Sequence, residues 1–169
     1  MKRTDEPYLW GYGFIPRSDL ALTHSISLSI GFIIGIYSLP IMIAPDRPSN
    51  DKFQKVVNAA QFDAVFVKDL LGSNILHWAK GQISLSNTKI AFQGKISPGP
   101  DYKLYLTKKF VQTKTDFLKI KNKSIVIGEI KSFDGFIISI KKEIDLTAYN
   151  SVVIWSESFS QFISAAKYQ

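Results

Sequence analysis

The chain has 169 residues, no cysteine, and 21 Lys and Arg against 14 Asp and Glu, for a formal net charge of +7. This length is typical of one domain, or of one small domain with an appendage, and it excludes a large two-domain enzyme. The absence of cysteine excludes a disulfide scaffold, a thiolate zinc site, an iron–sulfur cluster and a thiol nucleophile.

The positive charge lies entirely in the second half of the chain. Residues 1–76 carry seven basic and seven acidic side chains, whereas residues 77–169 carry fourteen lysines, seven acidic side chains and no arginine. Proteins that read nucleic acids use arginine for bidentate contacts to bases and phosphates. We therefore interpret the lysines as solubility and strand-edge protection, and we predict no nucleic-acid partner. Next to a membrane, anionic lipid headgroups would be their weak partners.

A long apolar segment follows an N-terminal tail of residues 1–19. No charged side chain occurs from Leu20 to Pro45, and the stretch Ile26 to Ala44 is almost entirely apolar. A helix needs about 20 apolar residues to cross the roughly 30 Å hydrocarbon core of a bilayer. We predict one uncleaved transmembrane helix over residues 20–45. A buried core helix and a cleaved signal peptide are the alternatives, although Met42-Ile43-Ala44 is a poor cleavage site.

The orientation of this segment is not decided by charge. Three basic residues precede it and three follow it: Lys2, Arg3 and Arg17, then Arg47, Lys52 and Lys55. The short N-terminal tail and the larger C-terminal part favour a cytoplasmic N-terminus. We predict a single-pass protein of the cell membrane with an extracytoplasmic C-terminal domain.

Two features within the segment bear on helix packing and length. Gly31 and Gly35 have the GxxxG spacing that lets two membrane helices approach closely, so a weak homodimer is one alternative to a lone span. Pro40 is expected to kink or end the helix, because proline cannot donate the helical hydrogen bond.

Residues 46–76 are predicted to form a connector. The polar breaker Asp46-Arg47-Pro48-Ser49-Asn50 begins it, and Gly72 to Asn74 end it. Between them, apolar residues recur every three or four positions, which predicts an amphipathic helix of up to five turns. A strand beginning at Ala64 is the alternative. The apolar positions are Phe53, Val56, Val57, Ala60, Ala64, Val67 and Leu71.

Residues 77–169 have the pattern of an all-β domain. Short runs of alternating apolar and polar residues, rich in β-branched and aromatic side chains, recur about every ten residues with turn residues between them. We predict a small antiparallel β-sandwich or barrel-like domain, preceded by the transmembrane helix and the short connecting helix. Strands are expected at residues 83–85, 90–92, 104–106, 117–120, 124–130, 135–141, 152–156 and 159–165.

Candidate catalytic groups are few. The two histidines, His24 and His77, are far apart, and a lone histidine does not make a metal site. No serine lies in a GxSxG motif, and there is no Walker-type or GxGxxG phosphate loop. We predict that the protein is not an enzyme and has no catalytic residue, metal site or cofactor.

Two motifs in the β region resemble a known family. The first runs from Ser97 to Leu106 and is a turn, with Gly99-Pro100-Asp101, that leads into a strand; the second runs from Ile144 to Trp155 and ends in Tyr-Asn-Ser-Val-Val-Ile-Trp. Together they resemble the electron-transfer "DM thirteen" domain family over His77 to Tyr168. His77 and Gly81 also fit the spacing with which that family's domains usually open.

The resemblance implies a β-rich extracytoplasmic module whose redox role rests on a cysteine directly after the tryptophan. In this chain Ser156 occupies that position. A serine hydroxyl cannot cycle through thiolate, disulfide and sulfenic states. The electron-transfer role therefore does not carry over through thiol chemistry.

Three functions remain open from the sequence. The first is a membrane-anchored binding or scaffolding module, with the bilayer and a membrane or extracytoplasmic protein as partners. The second is an accessory of an extracytoplasmic electron-transfer system, and the third is a structural subunit of a membrane complex. A purely structural role of the motif residues in turn and core is the alternative to a binding surface. The candidate binding residues are His77, Gly99, Pro100, Asp101, Tyr149, Trp155 and Ser156.

Overall fold

The computed structural model describes residues 17–169, which form two units divided after Gly35. The first described element is helix α1, Arg17–Met42, which contains Pro40 and ends two residues after it. By length and composition, Ser18–Met42 is apolar enough to cross a membrane, a property that a signal sequence near the N-terminus shares. Most of the predicted N-terminal tail lies outside the described residues.

The connector forms a short helix and a strand. Helix α2 covers Asn50–Asn58 and buries Phe53 and Val56 against the domain. The predicted helix of up to five turns is wrong, because strand β1, Phe62–Phe66, begins four residues after α2 ends. In β1, Ala64 and Phe66 are buried and their neighbours are exposed. This alternation of buried and exposed side chains every two residues is that of a strand, and the apolar spacing of three or four residues does not produce a helix here. As the edge strand of its sheet, β1 pairs antiparallel with the next strand along one side of its backbone.

Residues 62–167 contain two antiparallel four-stranded sheets in a sandwich-like arrangement, which confirms the predicted β-rich fold, although its first strand lies in the predicted connector. The first sheet has the order β1-β2-β3-β6 and the second has the order β5-β4-β7-β8. A core of mainly aliphatic and aromatic side chains lies between them. The remaining strands are β2 (Ala79–Leu85), β3 (Lys89–Ile96), β4 (Tyr102–Thr107), β5 (Ile125–Ile130), β6 (Phe136–Ser139), β7 (Ser151–Ser156) and β8 (Gln161–Lys167).

One predicted strand is a helix. Residues 117–120 belong to α3, Lys114–Ile120, and a short 3₁₀ turn continues it to Lys123. Thr113 caps this helix, since its hydroxyl oxygen accepts a hydrogen bond from the backbone N–H of Asp116 at 3.1 Å. The short apolar run was misread because its burial comes from one residue, Phe117, rather than from alternating positions.

Helix α3 covers the outer face of the second sheet. A second apolar cluster lies there, built around Tyr105, Phe117, Trp155 and Phe162. The inner face of the same sheet contributes Leu104, Leu106, Val152 and Ile154 to the core between the sheets. Strand β7 is therefore buried on both faces along its whole length.

Four loops meet at one end of the sandwich. The strand registers place residues 67–78, 97–101, 131–135 and 157–160 together, and we call these four loops the turn end. The ring of Tyr37 lies 6.4 Å from that of Phe159, and Ile41 and Ala44 share a cavity with Trp78. The turn end therefore lies beside residues 37–44.

Candidate functional site

The Gly99-Pro100-Asp101 turn is shaped by close packing and an unusual backbone angle. A Cβ atom on Gly99 would lie 2.3 Å from the hydroxyl oxygen of Tyr102, so a larger residue there would have to displace the buried tyrosine ring. Asp101 has a φ of 53°, in the left-handed region that aspartate tolerates better than most residues. Its exposed carboxylate accepts a hydrogen bond from the Ser158 hydroxyl at 3.2 Å. The turn lines a cavity of about 510 Å³ that also contacts Leu39.

Ser156 ties this turn to the end of β7. It pairs with Tyr102 across the sheet and is 1% exposed. Its hydroxyl donates a hydrogen bond to the Pro100 carbonyl oxygen at 2.9 Å. One residue later, the backbone N–H of Glu157 donates to the Asp101 carbonyl oxygen at 3.0 Å. The residue that replaces the expected cysteine therefore lies inside the domain, with its polar atom paired.

Trp155 lies on the opposite face of β7 and is fully buried. Its ring centroid is 5.0 Å from that of Phe117, and the Lys121 ammonium lies 5.4 Å from the indole. The indole Nε1 makes no hydrogen bond to any residue in the part of the chain described. Trp155 is a packing residue here and presents no surface to a partner.

A partly buried ion pair between Lys121 and Glu157 lies next to Trp155, and the sequence did not reveal it. The Glu157 carboxylate accepts hydrogen bonds from the Lys121 ammonium, at 2.6 Å, and from the Tyr105 hydroxyl. Burial alone would raise the pKa of Glu157, but these two donors outweigh it and hold the pKa below its usual range. Burial, followed by the bond to this carboxylate, raises the pKa of Tyr105. The capping residues Thr113 and Asp116 mark the start of α3, and recognising them would have placed Lys121 at the C-terminal end of that helix.

The two other candidate residues lie apart from this junction. Tyr149 precedes β7 at the end of the strand opposite to Ser156, half-buried, with the Lys108 ammonium 5.9 Å from its ring. His77 is in the turn end, where its backbone N–H donates to the Asn74 side-chain oxygen at 3.0 Å. Burial lowers the pKa of His77. The structure thus joins Gly99, Pro100, Asp101 and Ser156, and separates the remaining three.

The junction between the Gly99-Pro100-Asp101 turn and the end of β7 has a structural role. Its bonds are backbone and hydroxyl contacts, and within residues 17–169 no group of three His, Asp or Glu side chains is arranged to hold a metal ion. Glycine, left-handed aspartate and buried serine together fix the entry to β4 against the end of β7.

The fold and this junction define a small two-sheet β module with a glycine–proline–aspartate turn locked to its penultimate strand. The profile of the electron transfer DM13 family matches residues 71–168, more than half of the chain. The chain belongs to this family, which confirms the resemblance carried by the two motifs. A comparison with curated proteins and one with solved structures each gave no match.

Burial of position 156 can be tested with a thiol, because the chain contains no cysteine. We expect Ser156→Cys to react with a thiol reagent about 100-fold more slowly than Ser158→Cys in the folded protein, since reaction requires local opening. Ser158 is the matched control, two residues away and exposed. Both variants should react at the same rate in denaturant. Equal rates in the folded protein would place position 156 on the surface.

The Glu157 carboxylate should stabilise the fold only in its ionised form. Its folded pKa lies below the ordinary 4.5, so its contribution is present above pH 4.5 and is lost as the pH falls through the folded value. We expect Glu157→Gln to lower the free energy of unfolding at pH 7 by about 2 kcal/mol and to flatten its loss below pH 4.5. The measurement is denaturant unfolding between pH 7 and pH 3.

The matched control is Glu129→Gln. Glu129 pairs with Lys131 at 3.3 Å, but both side chains are more than half exposed, so its loss should leave the curve nearly unchanged. Parallel curves for the Glu157 variant and the unsubstituted chain would show that the ion pair does not stabilise the fold.

Proposed function

We propose that this chain is a membrane-anchored, extracytoplasmic DM13 module that binds a protein partner through the outer surface of the turn end. In this role the domain is a non-enzymatic binding or scaffolding unit. Helix α1 holds it at the membrane, and the partner is a membrane or extracytoplasmic protein.

The exposed apolar side chains of the turn end are the observation that carries this proposal. Leu71 is 83% exposed, Ile75 is 92% exposed and Leu76 is 56% exposed, all within the loop of residues 67–78. Phe159, at 43%, extends this group in the loop of residues 157–160. Clustered apolar side chains in water are unfavourable, and such groups commonly mark interaction surfaces.

The candidate residues divide between this surface and its support. Asp101 is exposed and accessible to a partner, whereas Ser156 and Trp155 are buried and hold the loops in place. Polar side chains, among them Lys68, Asp69 and Asn74, line the same cavity as Leu71 and Ile75, and the Lys68 ammonium lies 3.5 Å from the Trp78 ring centroid. Apolar centres with polar rims are typical of protein interfaces.

An accessory role in electron transfer is the second candidate, and membership of the electron transfer DM13 family favours it. Because a buried, hydrogen-bonded serine replaces the thiol, the redox group would belong to the partner. The module would then position a redox protein at the membrane. This candidate uses the same surface and differs only in the nature of the partner.

Photocrosslinking in native membranes tests the proposed surface. We expect a photoreactive phenylalanine analogue at Ile75 of the full chain to form a discrete protein adduct, because this residue is almost fully exposed on the turn end. Mass spectrometry of the adduct identifies the partner and shows whether it carries a redox group. Thr147, exposed in the loop before β7 at the opposite end, is the control position and should give no such adduct. Adducts to lipid alone at position 75 would refute a protein partner.

Thiol labelling of intact cells tests the anchoring and orientation. In the cysteine-free chain, Gln169→Cys should react with a membrane-impermeant maleimide, whereas Lys2→Cys should react only after permeabilisation. Recovery of both variants at full length in the membrane fraction would agree with an uncleaved anchor. The reverse labelling pattern would place the domain in the cytoplasm, and loss of residue 2 from the mature chain would identify a signal sequence.

A further inference from the structure

A positively charged cleft lies between α2 and the first sheet. Its volume is about 810 Å³, and its lining includes the side chains of Arg47, Lys52, Lys55 and Lys89. Asp46 is the one carboxylate among the lining residues. These lining charges sum to about +3, and three of the four cations come from residues 1–76, whose charges sum to zero.

The fold brings these four cations together from three separate segments. Phe53 and Val56 bury one face of α2, so Lys52 and Lys55, each one residue earlier, lie three positions apart along its flank. The Arg47 guanidinium lies 5.2 Å from the Phe53 ring centroid. Lys89 begins β3, where its backbone N–H donates to the Ser86 hydroxyl at 3.1 Å.

None of the four cations forms an ion pair within residues 17–169. The ion pairs found among residues 17–169 involve Lys103, Lys119, Lys121 and Lys131 instead. Like charges gathered around one cleft repel each other, and an anion bound between them relieves that repulsion. A phosphoryl group, with its several acceptor oxygens, matches ammonium and guanidinium donors.

The surroundings of the cleft indicate which kind of molecule carries the phosphoryl group. Asp46 and Arg47 also line a second cavity, together with Ile41 near the end of α1 and Ala44 just after it. An anion in the cleft would therefore have apolar side chains next to it. We propose that this cleft binds a phosphorylated anion, namely the headgroup of an anionic phospholipid. This site is separate from the proposed protein-binding surface and adds lipid recognition to the anchor.

Native mass spectrometry of the full chain in a non-ionic detergent tests the proposal, with phosphatidylglycerol as the anionic probe. Phosphatidylcholine tests the need for net negative charge, and glycerol 3-phosphate tests a free phosphate ester as the source. We expect phosphatidylglycerol to bind at least about tenfold more tightly than phosphatidylcholine, and its binding to weaken with salt. Equally tight binding of glycerol 3-phosphate would support the anion site and assign it to a free ligand.

The variant K52Q/K55Q/K89Q should lose phosphatidylglycerol affinity by at least about tenfold, because each lysine near a headgroup contributes roughly fivefold. The matched control K114Q/K123Q/K167Q removes three exposed lysines that do not line the cleft. Thermal unfolding of both variants checks that the fold is kept. Equal loss in both variants, or equal binding of the two lipids, would overturn the proposal. Neither outcome bears on the crosslink expected at Ile75.

Discussion

Burial of β7 on both faces is the constraint on which the rest of the domain depends. Val152 and Ile154 fill the space between the sheets, while Val153 and Trp155 pack outward beneath α3. A strand in this position accepts little change in side-chain volume on either face. Its end at Ser156 pairs with Tyr102 and Gln161, so it lies where the 97–101 loop ends and on both sides of the 157–160 loop. The turn end is thus a consequence of core packing.

This packing gives the serine a clear structural role. Serine and cysteine have similar volumes, so the strand keeps its place in the core, but the hydroxyl is a stronger hydrogen-bond donor than a thiol. In this chain that donor is bonded to the Pro100 carbonyl oxygen, and the bond ties the turn to the end of β7. The position that would serve a redox group in the family pattern serves here to hold a turn. The same geometry separates Trp155 from Ser156, since successive residues of a strand point to opposite faces.

Much of the fold could be predicted from the sequence, because alternating apolar positions and turn residues are local signals. The strands around Ile83, Leu104 and Val152 were identified from those signals alone. The errors occurred where tertiary packing decided between two periods, as in the strand at Ala64 and the helix at Phe117. The turn and Ser156 were found through their motifs. The Lys121–Glu157 pair was missed because 36 positions separate its members and no sequence pattern links them.

The charges are grouped differently in the folded structure than along the sequence. Counted along the chain, residues 1–76 are neutral and the lysines of residues 77–169 carry the whole excess. In three dimensions, Arg47, Lys52 and Lys55 from the neutral part meet Lys89 around one cleft. Exposed apolar side chains lie instead on the loops of the turn end, such as that of Ile75. The end of α1 and the residues that follow it adjoin both the turn end and the cleft. The two surfaces are separate and differ in chemistry, so the two proposed ligands would not compete for one site.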